Sequence, residues 1–482
     1  MNQKDAPLWQ AIKKQVNSRS VQLHIPGHNG GQAIASEFKT IAGRGIFQMD
    51  LTEIPGLDDL HNPGDVIAKA QALAADLYGA DKSYFLINGT SCGIIALIMS
   101  LCKQGGKIII PRNAHRSVLS GLVLAGAEPI YYQPAVLPGF GCLVGPEPVQ
   151  IRDLLQKHRD VKAVIGVSPT YYGIVGDIAG VAKICKMAGV PLLVDEAHGS
   201  HLRFHPEFPP DALRSGADAV VQSTHKTGGS LTQSSLLHLK GEQIEAGLVA
   251  EALRMLQSTS PSYILMASLD LARRQMAQQG KDLLSHTLEL SHWCREKLLG
   301  IPGVRLLSVE ELGLPGAMYL DPTRLTISLL ELGLTGYQTA ELLAERYGVI
   351  VEMADYASIV AILSVGSRLE DCHRLVEGIG KIAVLPSGKP RAIPQTVVMP
   401  APEVVLSPRE AWQRLGQRTS LEQCLGQISG ETVAVYPPGI PVVGPGEKIT
   451  ASVLAYLLEI RAQGYKIQGP EDPTLMTLKI LI

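Results

Sequence analysis

The sequence predicts an α/β protein built on a mostly parallel central β-sheet sandwiched by helices, with smaller α/β units toward the C-terminus. Two patterns predict it. Continuously apolar runs recur at 107–111 (KIIIP), 163–167 (AVIGV), 191–195 (PLLVD) and 219–223 (AVVQS). Helix-like stretches at 150–158 and 178–188 lie between them. Runs that are apolar at every position suit strands buried on both faces, and strands alternating with helices suit a parallel sheet. In such sheets ligands bind beyond the carboxyl ends of the strands. That rule selects four places: Asn88-Gly89-Thr90-Ser91, Asn113-Ala114-His115, Asp195-Glu196-Ala197-His198 and Ser223-Thr224-His225-Lys226.

Composition bounds the rest. The chain has 482 residues, 46% apolar and 18% charged, with a formal net charge of -2. That length exceeds one compact core, and the apolar content argues against disorder. The charge balance, with no basic run, gives no case for nucleic acid or an anionic membrane. Residues 1–5 are polar and open no signal sequence. The longest apolar candidate, 94–101, is too short to span a bilayer and reads as a buried helix. Seven widely spaced cysteines (Cys92, Cys102, Cys142, Cys185, Cys294, Cys372 and Cys424) contain no C-x-x-C. They fit a reducing cytoplasm rather than a disulfide framework or structural zinc.

The chain divides by pattern. Residues 1–60 form an N-terminal segment and 61–280 the large unit. A long amphipathic helix over 269–299 leads into a small α/β unit, 281–385, with a strand at 324–330 and helices at 335–347 and 372–382. Residues 386–408 are proline-rich and aperiodic, so they read as a linker. A C-terminal unit, 409–482, follows.

Lys226 carries the chemistry. Reactions at the α-carbon of an amino acid need an electron sink, and a lysine imine with pyridoxal phosphate supplies one. Lys226 follows a strand end and precedes the small, polar run Thr227-Gly228-Gly229-Ser230. Alone it would be an exposed loop lysine, the common state of lysine. Its neighbours change that reading. Asp195 ends a strand, where a carboxylate can keep a pyridinium nitrogen protonated. Its ordinary alternative is a helix cap. Ala197 is small enough to let a ring approach the backbone. Gly89, Thr90 and Ser91 open a helix, where backbone amides and hydroxyls bind phosphate. Ser223 and His225 flank the lysine and can reach the same phosphate. His115 follows another strand end, where it could stack on a ring or serve as a structural hydrogen-bonder.

Together these residues match a family. The run Ser223-Thr224-His225-Lys226-Thr227-Gly228-Gly229-Ser230-Leu231-Thr232-Gln233-Ser234-Ser235 resembles the cofactor-lysine signature of the ornithine/lysine/arginine decarboxylases of the aspartate-aminotransferase fold, fold type I. The resemblance extends to 24–28 (HIPGH), 51–61 (LTEIPGLDDLH), 88–91 (NGTS), 113–117 (NAHRS), 195–199 (DEAHG) and 436–439 (YPPG). Asn29 departs from it, standing where the family commonly has lysine. The chain also resembles the short form, which lacks an N-terminal wing domain.

The resemblance implies a role for each matching residue. Lys226 joins the cofactor, Asp195 pairs with its ring nitrogen, His115 stacks on the ring and Ala197 packs on the other face. His198 falls within the same cofactor-binding set. Gly89, Thr90, Ser91, Ser223 and His225 hold the phosphate. Ser258, in 257–261 (QSTSP), matches a position that donates a phosphate ligand from the neighbouring subunit, which implies a homodimer with shared active sites. The activity implied is decarboxylation of a basic amino acid, arginine first, then lysine or ornithine. His225 or Lys226 reprotonates Cα. Glu447, Asp58 and Asp59 are candidate acceptors for the substrate's cationic end.

Other readings compete. Within pyridoxal chemistry an aminotransferase or aldolase yields keto acid or aldehyde instead of CO₂. Gly89-Thr90-Ser91-Cys92-Gly93 fits the G-x-S-x-G elbow of an α/β-hydrolase using Ser91, but that reading leaves Lys226 unexplained. A non-enzymatic pyridoxal-binding carrier has no basic patch or helix-turn-helix to support it. His198, His201 and His205 have metal-like spacing, but Pro206 and Pro209 and the lack of cysteine ligands make them a surface loop with no metal.

Overall fold

The structure is a computed structural model that describes the chain apart from residues 19, 386–387, 394–399, 402 and 436–438. Its centre is a seven-stranded sheet. In chain order the strands are β1 (Lys82–Leu86), β2 (Lys107–Pro111), β3 (Glu128–Tyr132), β4 (Val161–Val167), β5 (Leu192–Asp195), β6 (Ala219–Gln222) and β7 (Ser235–Leu239). Across the sheet they run β1-β7-β6-β5-β4-β2-β3. All neighbours from β3 to β6 pair in parallel, and β7 alone runs against both β1 and β6.

Residues 83–87 also read as a strand in the sequence and form β1, whereas β3 and β7 went unread, for different reasons. Only residues 223–234 join β6 to β7, and they hold a one-turn helix, Thr224–Thr227. Without a crossover helix the chain doubles back, so the pairing is antiparallel. β3 carries Pro129 and lies at the sheet edge, where a missing amide is tolerated and apolar content falls.

Alternation within each strand fills two cores. Val164, Leu192, Val194 and Val220 face one layer, with helices Pro7–Asn17, Val66–Tyr78, Pro148–Lys157 and Ile178–Ala188. Ala163, Ile165, Leu193, Ala219 and Val221 face the other, with Gly89–Leu101, Arg116–Ala125 and Ala246–Leu256. Period-two geometry makes both faces apolar only if every position is apolar.

The long helix runs Tyr263–Leu299, beginning earlier than expected because Ser262 caps it by accepting from Leu265 N–H. Its C-terminal half packs on a small antiparallel sheet of Arg305–Leu306, Arg324–Ser328, Met353–Ala354 and Ile359–Ile362. Helices Gly336–Tyr347 and Leu369–Ala383 cover that sheet. Pro408, at the end of the expected linker, already opens the helix Pro408–Gln413, capped by Ser407. A further unit around Ala451–Ala462 shares a core with Leu143 of the large unit. No helix among the described residues is long and apolar enough to cross a membrane.

Candidate active site

The carboxyl ends of β1, β2, β4, β5 and β6 converge on one cavity, lined by Thr90, Asn113, His115, Tyr171, Asp195, Ala197, His198 and Lys226 among others. Each side chain arrives for a local reason. Asp195 is the last residue of β5, 7% exposed, and its Oδ1 accepts from Ala197 N–H at 3.2 Å. Lys226 lies in the one-turn helix after β6. Gly89 has φ +70°, a value that favours glycine, and turns the chain from β1 into helix Gly89–Leu101. A Cβ at Gly93 would lie 2.8 Å from Leu86 and 2.9 Å from Val221. Only glycine lets this helix sit so close to the sheet.

That helix begins without a side-chain cap; Gly89 N–H donates to Gln233 O at 2.8 Å, and the amides of Thr90 and Ser91 that follow are left for a ligand. Beside it, Thr90 and Ser223 exchange a hydrogen bond of 3.1 Å between their hydroxyls. His115 caps the next helix, with Nδ1 accepting from Ser117 N–H at 3.2 Å, and its ring faces the cavity. It is thus both cap and cavity wall.

Lys226 Nζ lies 3.0 Å from His198 Nε2, and Arg324 Nη2 lies 3.2 Å from His198 Nδ1. Arginine can only donate, so His198 Nδ1 accepts, and the neutral ring carries its proton on Nε2. That proton faces Lys226 and favours its uncharged amine. Electrostatics agree. Burial lowers the Lys226 pKa, with Arg324 adding to the effect and Asp195 opposing it. Burial, then Lys226 and Arg324, push His198 well below the usual histidine range. A neutral amine is the nucleophilic form of lysine.

Arg324 belongs to a chain of buried charge. Its Nε lies 3.6 Å from Asp321 Oδ2, which also lies 3.1 Å from His201 Nε2. Burial alone would raise Asp321, yet His201 and Arg324 outweigh it and hold the carboxyl well below its ordinary range. The surface-loop reading of the histidines is therefore corrected. His198, His201 and His205 are all buried, and His205 pairs with Ser285 at 3.1 Å. Leu202 and Phe208 enter the core between and after them and draw the segment inward. No metal-binding group of histidine, cysteine and carboxylate side chains occurs among the described residues.

The remaining candidates are distributed as follows. His225 is half-buried and donates from Nδ1 to Ser234 O at 2.9 Å. Ser91, in the same first turn as Thr90, borders an adjoining groove and makes no hydrogen bond to a histidine among the described residues. Ser258 is exposed, its carbonyl oxygen 2.7 Å from His61 Nε2, and it does not line the Lys226 cavity. Glu447 is 3% exposed and forms a bidentate pair with Arg112 at 2.6 and 2.7 Å, plus a bond from Gly444 N–H. Asp58 accepts from the amides of Asp59, Gly64, Asp65 and Ile67 and so organises the entry to helix Val66–Tyr78. Asp59 accepts from His61 N–H at 2.8 Å. These three carboxylates are committed to the fold and lie outside the cavity lining. The segment 436–438 lies outside the described residues.

Sequence reasoning missed Tyr171, Tyr172 and Arg324. Tyr171 stacks obliquely on His198, centroids 4.4 Å apart. It follows the end of β4, so the strand-end rule had the means to find it. Arg324 comes from the small unit, and no local pattern connects it to Lys226.

The donor set fits pyridoxal phosphate: a lysine amine whose pKa burial lowers, a buried carboxylate and the small Ala197 in the same cavity lining, and an uncapped helix terminus with two hydroxyls. Fold and site together define a pyridoxal-phosphate enzyme of fold type I. Residues 6–312 match the family described as Orn/Lys/Arg decarboxylase, major domain, and residues 392–472 match its C-terminal domain. The chain belongs to the Orn/Lys/Arg decarboxylase family and is a pyridoxal-phosphate-dependent amino acid decarboxylase. It is 39% identical to an arginine decarboxylase of Bacillus subtilis, over 100% of this chain and 99% of that one. It is 26% identical to the constitutive lysine decarboxylase of Escherichia coli, over 96% of this chain and 78% of the other. The crystal structure of a Francisella novicida lysine decarboxylase aligns with a TM-score of 0.85 at 22% identity, covering 99% of this chain and 81% of that one.

Proposed function

We propose that this decarboxylase acts on L-arginine, releasing CO₂ and the corresponding polyamine-type amine, and that it works in the cytoplasm as a homodimer. The observation that supports arginine is identity of 37–39% over nearly the whole chain to proteins named arginine decarboxylase from Bacillus subtilis and Bacillus anthracis. A second copy would cover the exposed apolar side chains of the N-terminal segment, Val21, Leu23, Ile25, Phe38 and Ile41. Such a copy could also bring Ser258 to its partner's cavity. Seven free, buried thiols suit a reducing compartment. In the division we propose, 61–280 carries the cofactor chemistry, while 281–385 and 409–482 close over it with Arg324 and Ile440.

Bound pyridoxal phosphate supplies the sink for the electron pair released when the bond from Cα to the carboxylate breaks. The protein does the rest. Asp195 places a carboxylate where positive charge on the ring must be held. The amides of Thr90 and Ser91, with the hydroxyls of Thr90 and Ser223, would grip the phosphate and fix the ring's position. His198 Nε2 lies 3.0 Å from Nζ of Lys226. As a free amine, Nζ takes the proton that the substrate's ammonium gives up, and after CO₂ departs it returns that proton to Cα. His225 already gives its Nδ1 proton to Ser234 and does not line the cavity.

The test is CO₂ release from arginine, lysine and ornithine by the cofactor-loaded protein. Arginine should give the highest kcat/KM. Release from lysine or ornithine alone would refute the arginine assignment.

A further inference from the structure

Leu143, Tyr172 and Ile440 line the Lys226 cavity and also border an adjacent chamber, bounded by Phe140, Asp355, Tyr356 and Tyr465 among others. Tyr356 and Tyr465 lie stacked, with centroids 5.4 Å apart and planes 11° from parallel. Asp355 is the chamber's carboxylate. Its Oδ1 accepts from Ala357 N–H at 2.8 Å and Ser358 N–H at 2.7 Å, and its Oδ2 accepts from Tyr172 Oη at 2.6 Å.

These bonds fix the carboxylate without neutralising it. Among the described residues no lysine, arginine or histidine forms an ion pair with Asp355, unlike the buried Asp321 and Glu447. Burial raises its pKa, the sign expected of an acid enclosed without a counter-ion. A lone carboxylate in an enclosed site is costly unless a cation meets it. Aromatic walls favour cations, and flat ones favour a planar guanidinium.

We propose that this chamber is the side-chain subsite of the enzyme, with Asp355 Oδ2 accepting from the substrate's terminal cation beside the stacked pair Tyr356 and Tyr465. The aliphatic stem of the substrate passes Leu143 and Ile440, the shared apolar wall. The inference rests on the arginine reading and gives it a physical basis. It also supplies the acceptor that Glu447, Asp58 and Asp59 do not provide.

The test compares arginine with citrulline, whose urea group is a neutral isostere of guanidinium. Holoenzyme is assayed for kcat/KM and, by calorimetry, for binding. Asp355→Asn keeps the shape and the Oδ1 acceptor but removes the charge. It should lower kcat/KM for arginine on the order of 10²-fold and leave citrulline nearly unchanged. Tyr172→Phe, which frees Oδ2 without removing the charge, should keep the arginine preference and guards against misfolding of the first variant. Equal losses for both ligands would mean Asp355 only supports the fold, and would overturn the proposal. Glu352, whose carboxylate accepts from Tyr171 Oη, is the rival acceptor, and collapse of the preference in Glu352→Gln with none in Asp355→Asn would overturn the proposal as well. If wild-type holoenzyme releases no CO₂ from arginine, the arginine reading fails, and binding then judges the subsite. A binding preference for arginine that Asp355→Asn abolishes supports it, and equal binding of both ligands refutes it.

Discussion

Nε2 of His198 lies 3.0 Å from Nζ of Lys226, and the guanidinium of Arg324 on the far side of the ring decides which of the two nitrogens carries the proton. Arg324, on the strand Arg324–Ser328, thereby adds to the burial that lowers the pKa of Lys226. The consequence is measurable. Arg324 lowers the Lys226 pKa, so replacing it with methionine removes a repelling cation and must move that pKa up. The pH midpoint for modification of Lys226 in cofactor-stripped protein by an amine reagent should rise. A midpoint that stays or falls would show that Arg324 does not tune this lysine.

Lys226→Ala should abolish the visible absorbance of the bound cofactor and cut CO₂ release by more than about 10³-fold. Spectrum and rate must fall together. A colourless variant with full activity would dissociate Lys226 from the chemistry.

Thr90→Val combined with Ser223→Ala removes both hydroxyls beside the uncapped helix. Hydrogen bonds to a charged group contribute about 1.5–3 kcal/mol each, so cofactor affinity should drop at least tenfold. Equilibrium dialysis measures it. Unchanged affinity would place the phosphate elsewhere.

Glu447 and Arg112 tie the C-terminal unit to the end of β2. Glu447→Ala strands a buried guanidinium and should destabilise the fold by about 3–5 kcal/mol in urea titration. Paired replacement of both by leucine should recover much of that loss. Glu447→Gln should leave the ranking of arginine, lysine and ornithine intact, since both carboxylate oxygens already serve Arg112. A changed ranking would restore Glu447 as a substrate group.

Asp321 gives a pH signature. Its folded-state pKa is depressed below the unfolded value of about 3.9, so the unfolded chain binds more protons in that region. The stabilisation is fully present above pH ~4 and is lost as pH falls through the folded pKa. Asp321→Asn should weaken the protein near neutrality by leaving His201 and Arg324 unmatched, and should flatten this acid limb. Parallel acid limbs for wild type and variant would contradict the assignment.

Much of this was legible in the residues. Continuous apolar runs specify strands buried on both faces, and such strands force a parallel, helix-covered sheet whose ends gather Gly89, His115, Asp195 and Lys226. Local order was enough because each of these side chains follows directly from a strand end. The antiparallel β7 was not legible, because its direction depends on the length and content of the turn before it. The acids show the same divide. Glu447, Asp58 and Asp59 looked available in sequence, where any carboxylate does. Folding brought Arg112 to Glu447 and a ring of amides to Asp58, while it left Asp355 enclosed beside the cavity without a cation. The sequence by itself determined the fold class and which residues stand at the strand ends, because both arise from short-range pattern. Only the tertiary structure decided the direction in which the Lys226 pKa moves and the partners of each acid, because burial and opposing charge depend on contacts between distant segments.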